Sequence, residues 1–197
     1  MDRPPLRRLE LTDPRALRAL AHPTRLKLLA LLRTVGPLTA SQAAERTGES
    51  AGSCSFHFRQ LARWGLCEEA GGGHGRARPW RATALVTSWS AAGASAEMAE
   101  ASRMFSRTVA EWYHEGLLHW IDAREREPLA WQQAASFGDV LLYLTADELR
   151  ETVQALREVI EAVVRRTAAR QIPYPGARMV QFIAMSYPLD DQDPRHV

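Results

Sequence analysis

The chain of 197 residues is 46% hydrophobic and 24% charged with a formal net charge of +2, a composition that excludes an intrinsically disordered or fibrous protein. No run approaches the roughly 20 apolar residues that cross a bilayer, and the N-terminal residues lack the apolar stretch of a secretion signal. Two cysteines, Cys54 and Cys67, are too few for a disulfide framework, so we expect a cytoplasmic protein.

The charge is unevenly distributed along the chain. Residues 1–84 contain 14 Arg and Lys against seven Asp and Glu, a net charge of +7, whereas residues 85–197 contain 11 against 16, a net charge of −5. This asymmetry predicts a basic module that meets a polyanion, joined to an acidic module with another role.

Four helices are predicted in the first 64 residues from apolar periodicity and capping residues. The second helix is strongly amphipathic because leucines repeat along it, and it ends at Gly36 and Pro37. The third covers residues 40–47, and the fourth runs to Trp64. The predicted N-caps of the four helices are Asp13, Thr24, Thr39 and Ser50.

The period of the pattern changes after the fourth helix. Residues 66–70 and 80–84 are short strand candidates, and the glycine-rich stretch 71–79 between them is a positively charged turn. Helices followed by a β-hairpin within about 75 residues are the layout of a winged helix-turn-helix.

A long helix is predicted from Ser88 or Ala94 to Arg126. Its apolar face is broad enough to need a large partner, and a second subunit is the economical choice, so residues 89–127 are interpreted as a dimerisation helix. Two adjacent stripes form this face: Met98, Ala101, Phe105, Val109, Trp112 and Gly116, and beside them Ala110, Tyr113, Leu117 and Ile121.

The last part of the chain, residues 128–197, predicts an accessory segment with the order strand, helix, strand. Residues 138–144 and 179–187 are apolar runs, and a capping-box sequence from Thr145 to Glu148 opens the helix between them. The expected fold class is therefore mainly α with α+β character, a winged helix-turn-helix in residues 1–88 followed by the dimerisation helix and this segment.

The fourth helix has the composition of a recognition helix. At about 100° per residue, Ala51, Cys54, Phe58 and Leu61 share an inward face. The opposite side offers hydroxyls, an amide, arginines and one aromatic ring, which suit the base edges and thymine methyls of a major groove. Gly52 lies on this outward side. The predicted DNA contacts on the helix are Ser50, Ser53, Ser55, Phe56, His57, Arg59, Gln60 and Arg63.

Phe56 points directly away from the core in this arrangement. Contact with a thymine methyl or a sugar is one interpretation, and a solvent-exposed ring or one folded onto the next helix is the other. Ser41 and Gln42, at the start of the preceding helix, are better placed for phosphates. The arginines of the hairpin, Arg76, Arg78 and Arg81, suit backbone or minor-groove contact, with a solvated loop as the alternative.

Two stretches resemble the ArsR-type winged-helix transcriptional regulators. Residues 21–32, AHPTRLKLLALL, resemble the opening signature of that family, and residues 55–66, SFHFRQLARWGL, match its recognition-helix pattern. The resemblance covers roughly residues 13–84 and implies a homodimer that binds an inverted repeat in a promoter, usually as a repressor released by an effector. By position it makes Ser41, Gln42, Ser53, Ser55 and His57 DNA-facing or phosphate-contacting.

The sequence departs from the family both on the predicted recognition helix and in the residues that sense metals. Ala51 and Phe56 stand at positions that are often polar, and the cysteine pair that senses metals in many members is absent. Acidic and histidine side chains on the long helix could bind zinc in pairs, but their spacing is not that of the family's interfacial site, so no metal or cofactor is predicted. These side chains are Glu111, His114, Glu115, His119 and Asp122.

The sequence therefore predicts a dimeric, sequence-specific transcriptional regulator, more in keeping with a repressor than an activator, and not an enzyme. Its expected partners are double-stranded promoter DNA and a second copy of the chain, with no membrane, and a small-molecule effector is left open. The alternatives are a winged helix used only for dimerisation, as in some small-molecule methyltransferases, and a winged helix that docks protein. The basic first half argues against the docking alternative.

Overall fold

The computed structural model describes residues 8–71, 78–90, 93–168 and 175–189. The protein is mostly helical with a small amount of sheet, and it divides into an N-terminal unit that ends at Ala123 and a C-terminal unit that begins at Arg124. The N-terminal unit contains helices α1 (Pro14–Leu20), α2 (Pro23–Val35), α3 (Ala40–Thr47), α4 (Ala51–Arg63) and α5 (Ala96–Ala123), and strands β1 (Arg8–Leu11), β2 (Cys67–Glu69), β3 (Trp80–Ala82) and β4 (Val86–Trp89).

Side-chain caps fix the starts of three of these helices, as predicted. The Asp13 carboxylate accepts a hydrogen bond from the Arg15 amide at 2.8 Å, and the Ser50 hydroxyl accepts one from the Ser53 amide at 3.1 Å. Thr39 opens α3 in the same way. The fourth prediction is wrong, because α2 begins at Pro23 with His22 rather than Thr24 as its N-cap. Proline suits the first helical position because its missing N–H would have no partner there.

The hairpin of β2 and β3 confirms the predicted winged layout. The two strands are antiparallel, with Cys67 opposite Ala82, and Leu38 extends the pairing by exchanging main-chain hydrogen bonds of 3.0 and 2.8 Å with Trp80. Residues 72–77 at the turn of the hairpin, which include the predicted contact Arg76, lie outside the described residues.

A second pairing was not predicted. Strand β1 runs parallel to β4, with Leu11 opposite Trp89, so residues 86–89 form a strand where the sequence suggested the beginning of the long helix. Arg33, at the end of α2, stabilises this connection by donating hydrogen bonds to the Ala84 carbonyl at 3.0 Å and the Thr87 hydroxyl at 2.5 Å. Burial lowers the pKa of the Arg33 guanidinium to about 10.

The core of the N-terminal unit packs one face of α4 against α2 and the hairpin. Phe58 is fully buried, and its ring stacks on Trp80 with 5.6 Å between the ring centroids. The predicted inward residues Cys54, Phe58 and Leu61 are buried, but Ala51 is exposed because it lies in the first turn, beyond the reach of the core. The fully buried leucines include Leu17, Leu20, Leu28, Leu32, Leu61 and Leu66.

Helix α5 uses its two halves differently. In the first half, the predicted stripe residues Met98, Ala101, Phe105 and Val109 are buried within the unit. The Trp89 ring packs edge-to-face on Phe105, and Arg18 of α1 forms a 2.8 Å ion pair with Glu97. In the second half, Leu117, Leu118 and Ile121 are exposed. Part of the surface expected to form a dimer seam is therefore covered by the chain's own helix α1 and strand β4.

The C-terminal unit contains a 3-10 turn (Arg124–Arg126), the short helix α6 (Leu129–Ala134) and helix α7 (Ala146–Ala168). The predicted capping box is present, because the Thr145 amide donates to the Glu148 carboxylate at 2.7 Å and the Glu148 amide donates to the Thr145 hydroxyl at 3.3 Å. The predicted strands at 138–144 and 179–187 do not form within this single chain, which corrects that prediction. Helix α6 was not predicted either. A strand needs a partner, and no described main-chain segment pairs with either run.

None of the helices in the described ranges is both long enough and apolar enough to cross a membrane.

The packing of α4 predicts opposite outcomes for two phenylalanines that lie two positions apart. We expect Phe58→Ala to lower the free energy of unfolding by about 3–5 kcal/mol, because it leaves a cavity beneath Trp80. Phe56→Ala removes a ring that is 50% exposed, and we expect a loss of less than about 1 kcal/mol. Urea titrations followed by tryptophan fluorescence measure both, and equal losses would contradict the packing described.

Candidate nucleic-acid interface

Helices α3 and α4 form the helix-turn-helix, and α4 presents a continuous exposed stripe. Gly48 allows the tight turn between them by adopting a φ of 77°, the left-handed conformation that glycine tolerates best. Along α4, Gly52, Phe56, Arg59 and Arg63 are all exposed, at the spacing predicted for its outward face. This side of α4 carries two cationic groups and one apolar ring that can reach a ligand in solvent.

The serines beside the stripe differ in how free their hydroxyl groups are. Ser50 is exposed but caps α4, and the Ser53 hydroxyl donates to the Glu49 carboxylate at 3.0 Å. Ser55 and Gln60 are half-buried at the edges of the stripe. Ser53 is therefore already engaged by a neighbour in the free protein.

The predicted phosphate contacts lie at the N-terminus of α3. Ser41 is exposed, and so is Gln42. Gln42 completes a capping box. Its side-chain oxygen accepts a hydrogen bond from the main-chain N–H of Thr39 at 2.9 Å, and its own main-chain N–H donates to the Thr39 hydroxyl at 3.2 Å. Only the side-chain NH₂ group of Gln42 is then left to donate to a phosphate.

His57 lies on the inward side of α4, which corrects its predicted position among the DNA-facing residues. It is 9% exposed, and its ring lies 4.7 Å from the ring of His22 at the start of α2. Burial, then the nearby His22 and Arg25, lower the pKa of His57, and burial followed by Arg25 lowers the pKa of His22. The two rings are accordingly held neutral near pH 7, and the Nδ1 atoms of both lack a hydrogen-bond partner among the described residues.

Glu49 joins two helices at this surface, a contact that the sequence interpretation missed. Its carboxylate accepts hydrogen bonds from the Thr24 hydroxyl at 3.2 Å and from the Ser53 hydroxyl at 3.0 Å, so it joins the start of α2 to the start of α4. Its charge also opposes the lowering of the His22 and His57 pKa values. Its only signal in the sequence is its place directly before the Ser50 cap, where an anion favours the N-terminus of a helix.

Both arginines of the hairpin that the structure describes are paired with acids of β2. Arg78 forms a 2.8 Å ion pair with Glu69, and Arg81 forms a 2.7 Å ion pair with Glu68, the residue opposite it in the hairpin. The Glu69 carboxylate raises the pKa of Arg78. These pairs reduce the positive potential that the sequence suggested for the hairpin, although exposed pairs of this kind are easily exchanged for other anions.

In the described part of the chain, both cysteines are buried and no cluster of metal-ligating side chains is present. Burial raises the pKa of the Cys67 thiol to about 12, and its sulfur lies 3.3 Å from the Phe58 carbonyl. Cys54 is buried as well. Across the described ranges, no three His, Cys, Asp or Glu side chains come together as a metal site.

A comparison with protein families matches residues 20–69 to a family described as a helix-turn-helix domain. This match covers α2, α3, α4 and β2, and it indicates a DNA-binding regulator. No curated protein matches the chain.

The histidine pair predicts a loss of stability in mild acid. The pKa of each ring is lower in the folded chain than its unfolded value of about 6.5, so the unfolded state takes up protons first as the pH falls. The stabilisation is complete above about pH 6.5 and is lost as the pH falls toward the folded pKa values. We expect the free energy of unfolding to decrease between about pH 7 and pH 5.

Urea titrations across this range measure the slope, and His22→Gln combined with His57→Gln should flatten it. His119→Gln is the matched control, because the His119 side chain is already exposed in the folded chain. An unchanged slope in the double variant would show that other groups cause the acid sensitivity.

Proposed function

We propose that this protein is a cytoplasmic, ArsR-type transcriptional regulator, not an enzyme, that binds an inverted repeat in promoter DNA as a homodimer and acts as a repressor. The observation that carries the proposal is the exposed stripe of α4, which lies on the second helix of the matched helix-turn-helix domain. In such domains the second helix enters the major groove. The net charge of +7 in residues 1–84 supports a polyanionic partner.

The roles follow from what each side chain can reach. Arg59 and Arg63 supply donors that suit the O6 and N7 acceptors of guanine, and the half-exposed Phe56 ring suits a thymine methyl or a sugar. Ser41 and the Gln42 amide lie at a helix N-terminus, where main-chain N–H groups also favour a phosphate. Ser55 and Gln60 flank the stripe. His57 is placed as a support for α4 rather than as a contact.

A docking module for another protein is the second candidate. Two features favour it: the Phe56 ring on α4 is exposed, and the described hairpin arginines are already paired with Glu68 and Glu69, a combination that also suits a protein-binding surface. The two candidates differ in the expected response to salt, because only binding to nucleic acid releases a large number of counterions.

Selection of bound duplexes from random DNA, with the full chain, tests the proposal. We expect an inverted repeat with half-site centres about 10 bp, or a multiple of that, apart. Affinity for the selected duplex, measured by fluorescence anisotropy, should fall steeply as salt increases, with a slope of about −0.9 for each phosphate contacted. Failure to bind any duplex at low salt would favour the docking module.

Variants on the stripe test its role directly. We expect Arg59→Ala and Arg63→Ala each to weaken binding to the selected duplex by about tenfold or more, because a bidentate contact with a base contributes about 1–3 kcal/mol. Arg107→Ala, which removes an arginine of α5 that is also exposed, should leave affinity within about twofold. Equal effects of all three changes would point to general electrostatics rather than to this surface.

The ion pair between Arg78 and Glu69, at the turn end of the hairpin strands, predicts a gain of affinity. Glu69→Gln removes the carboxylate that holds Arg78, so the arginine is free for a phosphate, and we expect binding several-fold tighter at low salt. Arg78→Ala with Glu69→Gln is the control for the loss of negative charge alone. If the gain is the same with and without Arg78, the hairpin arginine is not a DNA contact.

A further inference from the structure

The C-terminal unit leaves its apolar side chains in solvent. In the ranges 124–167 and 175–189, the structure contains no buried residue, yet large apolar side chains occur throughout. Monomeric proteins rarely expose apolar patches of more than a few hundred Å². The most exposed of these side chains are Leu129, Val140, Leu141, Leu142, Tyr143, Val159, Phe182 and Tyr187.

Most of this surface belongs to two segments whose backbone has no partner. Residues 138–144 and 179–187 contain eleven exposed large apolar side chains, and neither segment belongs to a helix or a strand. In the described part of the unit, no main-chain hydrogen bond is made by either segment. A continuous apolar run of this length is typical of a strand that is covered on both faces of a sheet.

The second segment, 179–187, is nevertheless held within the unit. The Arg178 guanidinium donates two hydrogen bonds to the Glu127 carboxylate, at 2.5 and 3.1 Å, and lies over the Trp131 ring at 5.2 Å. Further along, Ser186 lines the same shallow depression as Leu149 of α7. The second segment therefore has a defined place next to α7, whose start is fixed by the capping box of Thr145 and Glu148.

We propose that a second copy of this chain covers this surface, with residues 138–144 and 179–187 of both subunits paired in one intersubunit sheet and the apolar side of α7 packed against it. This apolar side consists of Leu149, Val153, Leu156, Ile160 and Val163. The inference deepens the proposed function, since it rests on the homodimer proposed there and names the surface that forms it.

The size and chemistry of the surface favour a second copy over another partner. Eleven large apolar side chains, at about 60–120 Å² each when fully exposed, contribute roughly 700 Å² at the observed exposures, comparable to the about 800 Å² that each partner buries in a stable complex. Only Asp139 and Arg178 carry charge in 138–144 and 177–189. A surface so poor in charge is typical of permanent assemblies, and a second copy is the one partner always present in equal amount.

Oligomeric state, measured in the absence of DNA, tests the inference. Sedimentation equilibrium of the full chain should show a dimer. Leu142→Glu combined with Phe182→Glu should raise the dimer dissociation constant by about 100-fold or more, because a carboxylate cannot be buried in an apolar seam without a partner. The matched control is Leu118→Glu combined with Ile121→Glu on α5, which adds the same charge at positions that are also exposed, and it should remain dimeric.

Amide hydrogen exchange of the unmodified protein provides a test that needs no variant. The amides of 138–144 and 179–187 should exchange about 100-fold or more slowly than in an unpaired chain at concentrations where the dimer forms, because strand pairing protects them. Three results would overturn the inference: a monomer at every accessible concentration, loss of the dimer only in the α5 variant, or a dimer whose two segments exchange freely.

The result separates this inference from the proposed function. A dimer with protected segments that binds no duplex would overturn DNA binding and leave the seam intact. A protein that binds the selected duplex but dimerises through α5 would support DNA binding and overturn the proposed seam. Retention of the cooperative unfolding transition of the N-terminal unit shows that the glutamate variants remain folded there.

Discussion

Burial of one side of α4 determines what its other side can present. Phe58, Cys54 and Leu61 are fixed against α2 and the hairpin, and the stack of Phe58 on Trp80 joins α4 to the hairpin. Because side chains four and seven positions apart share a helix face, this packing leaves Phe56, Arg59 and Arg63 no alternative to solvent. The exposed stripe is thus a consequence of the core.

A second set of contacts holds the start of α4 in place. Glu49 binds hydroxyl groups on both α2 and α4, and the neutral rings of His22 and His57 fill the space beside it. The carboxylate lies where the field of the helix N-terminus favours an anion. Glu49 also lies close to a surface proposed to contact phosphates. Its negative charge therefore weakens the attraction of that surface for phosphates, while its hydrogen bonds fix the position of α4. In the hairpin, the ion pairs of Glu68 and Glu69 with Arg81 and Arg78 reduce the attraction for phosphates in the same way.

The winged helix-turn-helix was predictable because its signals are local. Caps at Ser50 and Thr39 and a glycine at position 48 mark helix ends without reference to the rest of the chain. His57 was misplaced because helical spacing puts it at the boundary of the outward face, and only the contact with His22, 35 positions away, shows that it is covered. The parallel pairing of β1 with β4 was missed for the same reason, since nothing local marks a partner so far along the chain.

The apolar runs of the C-terminal unit show a different limit of sequence reasoning. Their pattern is that of strands, but a strand forms only where another backbone supplies hydrogen bonds, and one described chain supplies none to 138–144 or 179–187. With a net charge of −5 in residues 85–197, this half of the chain is also poorly suited to phosphates. If the proposed seam and the proposed DNA-binding surface are both correct, dimerisation and DNA binding fall on different units. Affinity for an inverted repeat would depend on both, because binding at one half-site raises the effective concentration of the second recognition helix at the other.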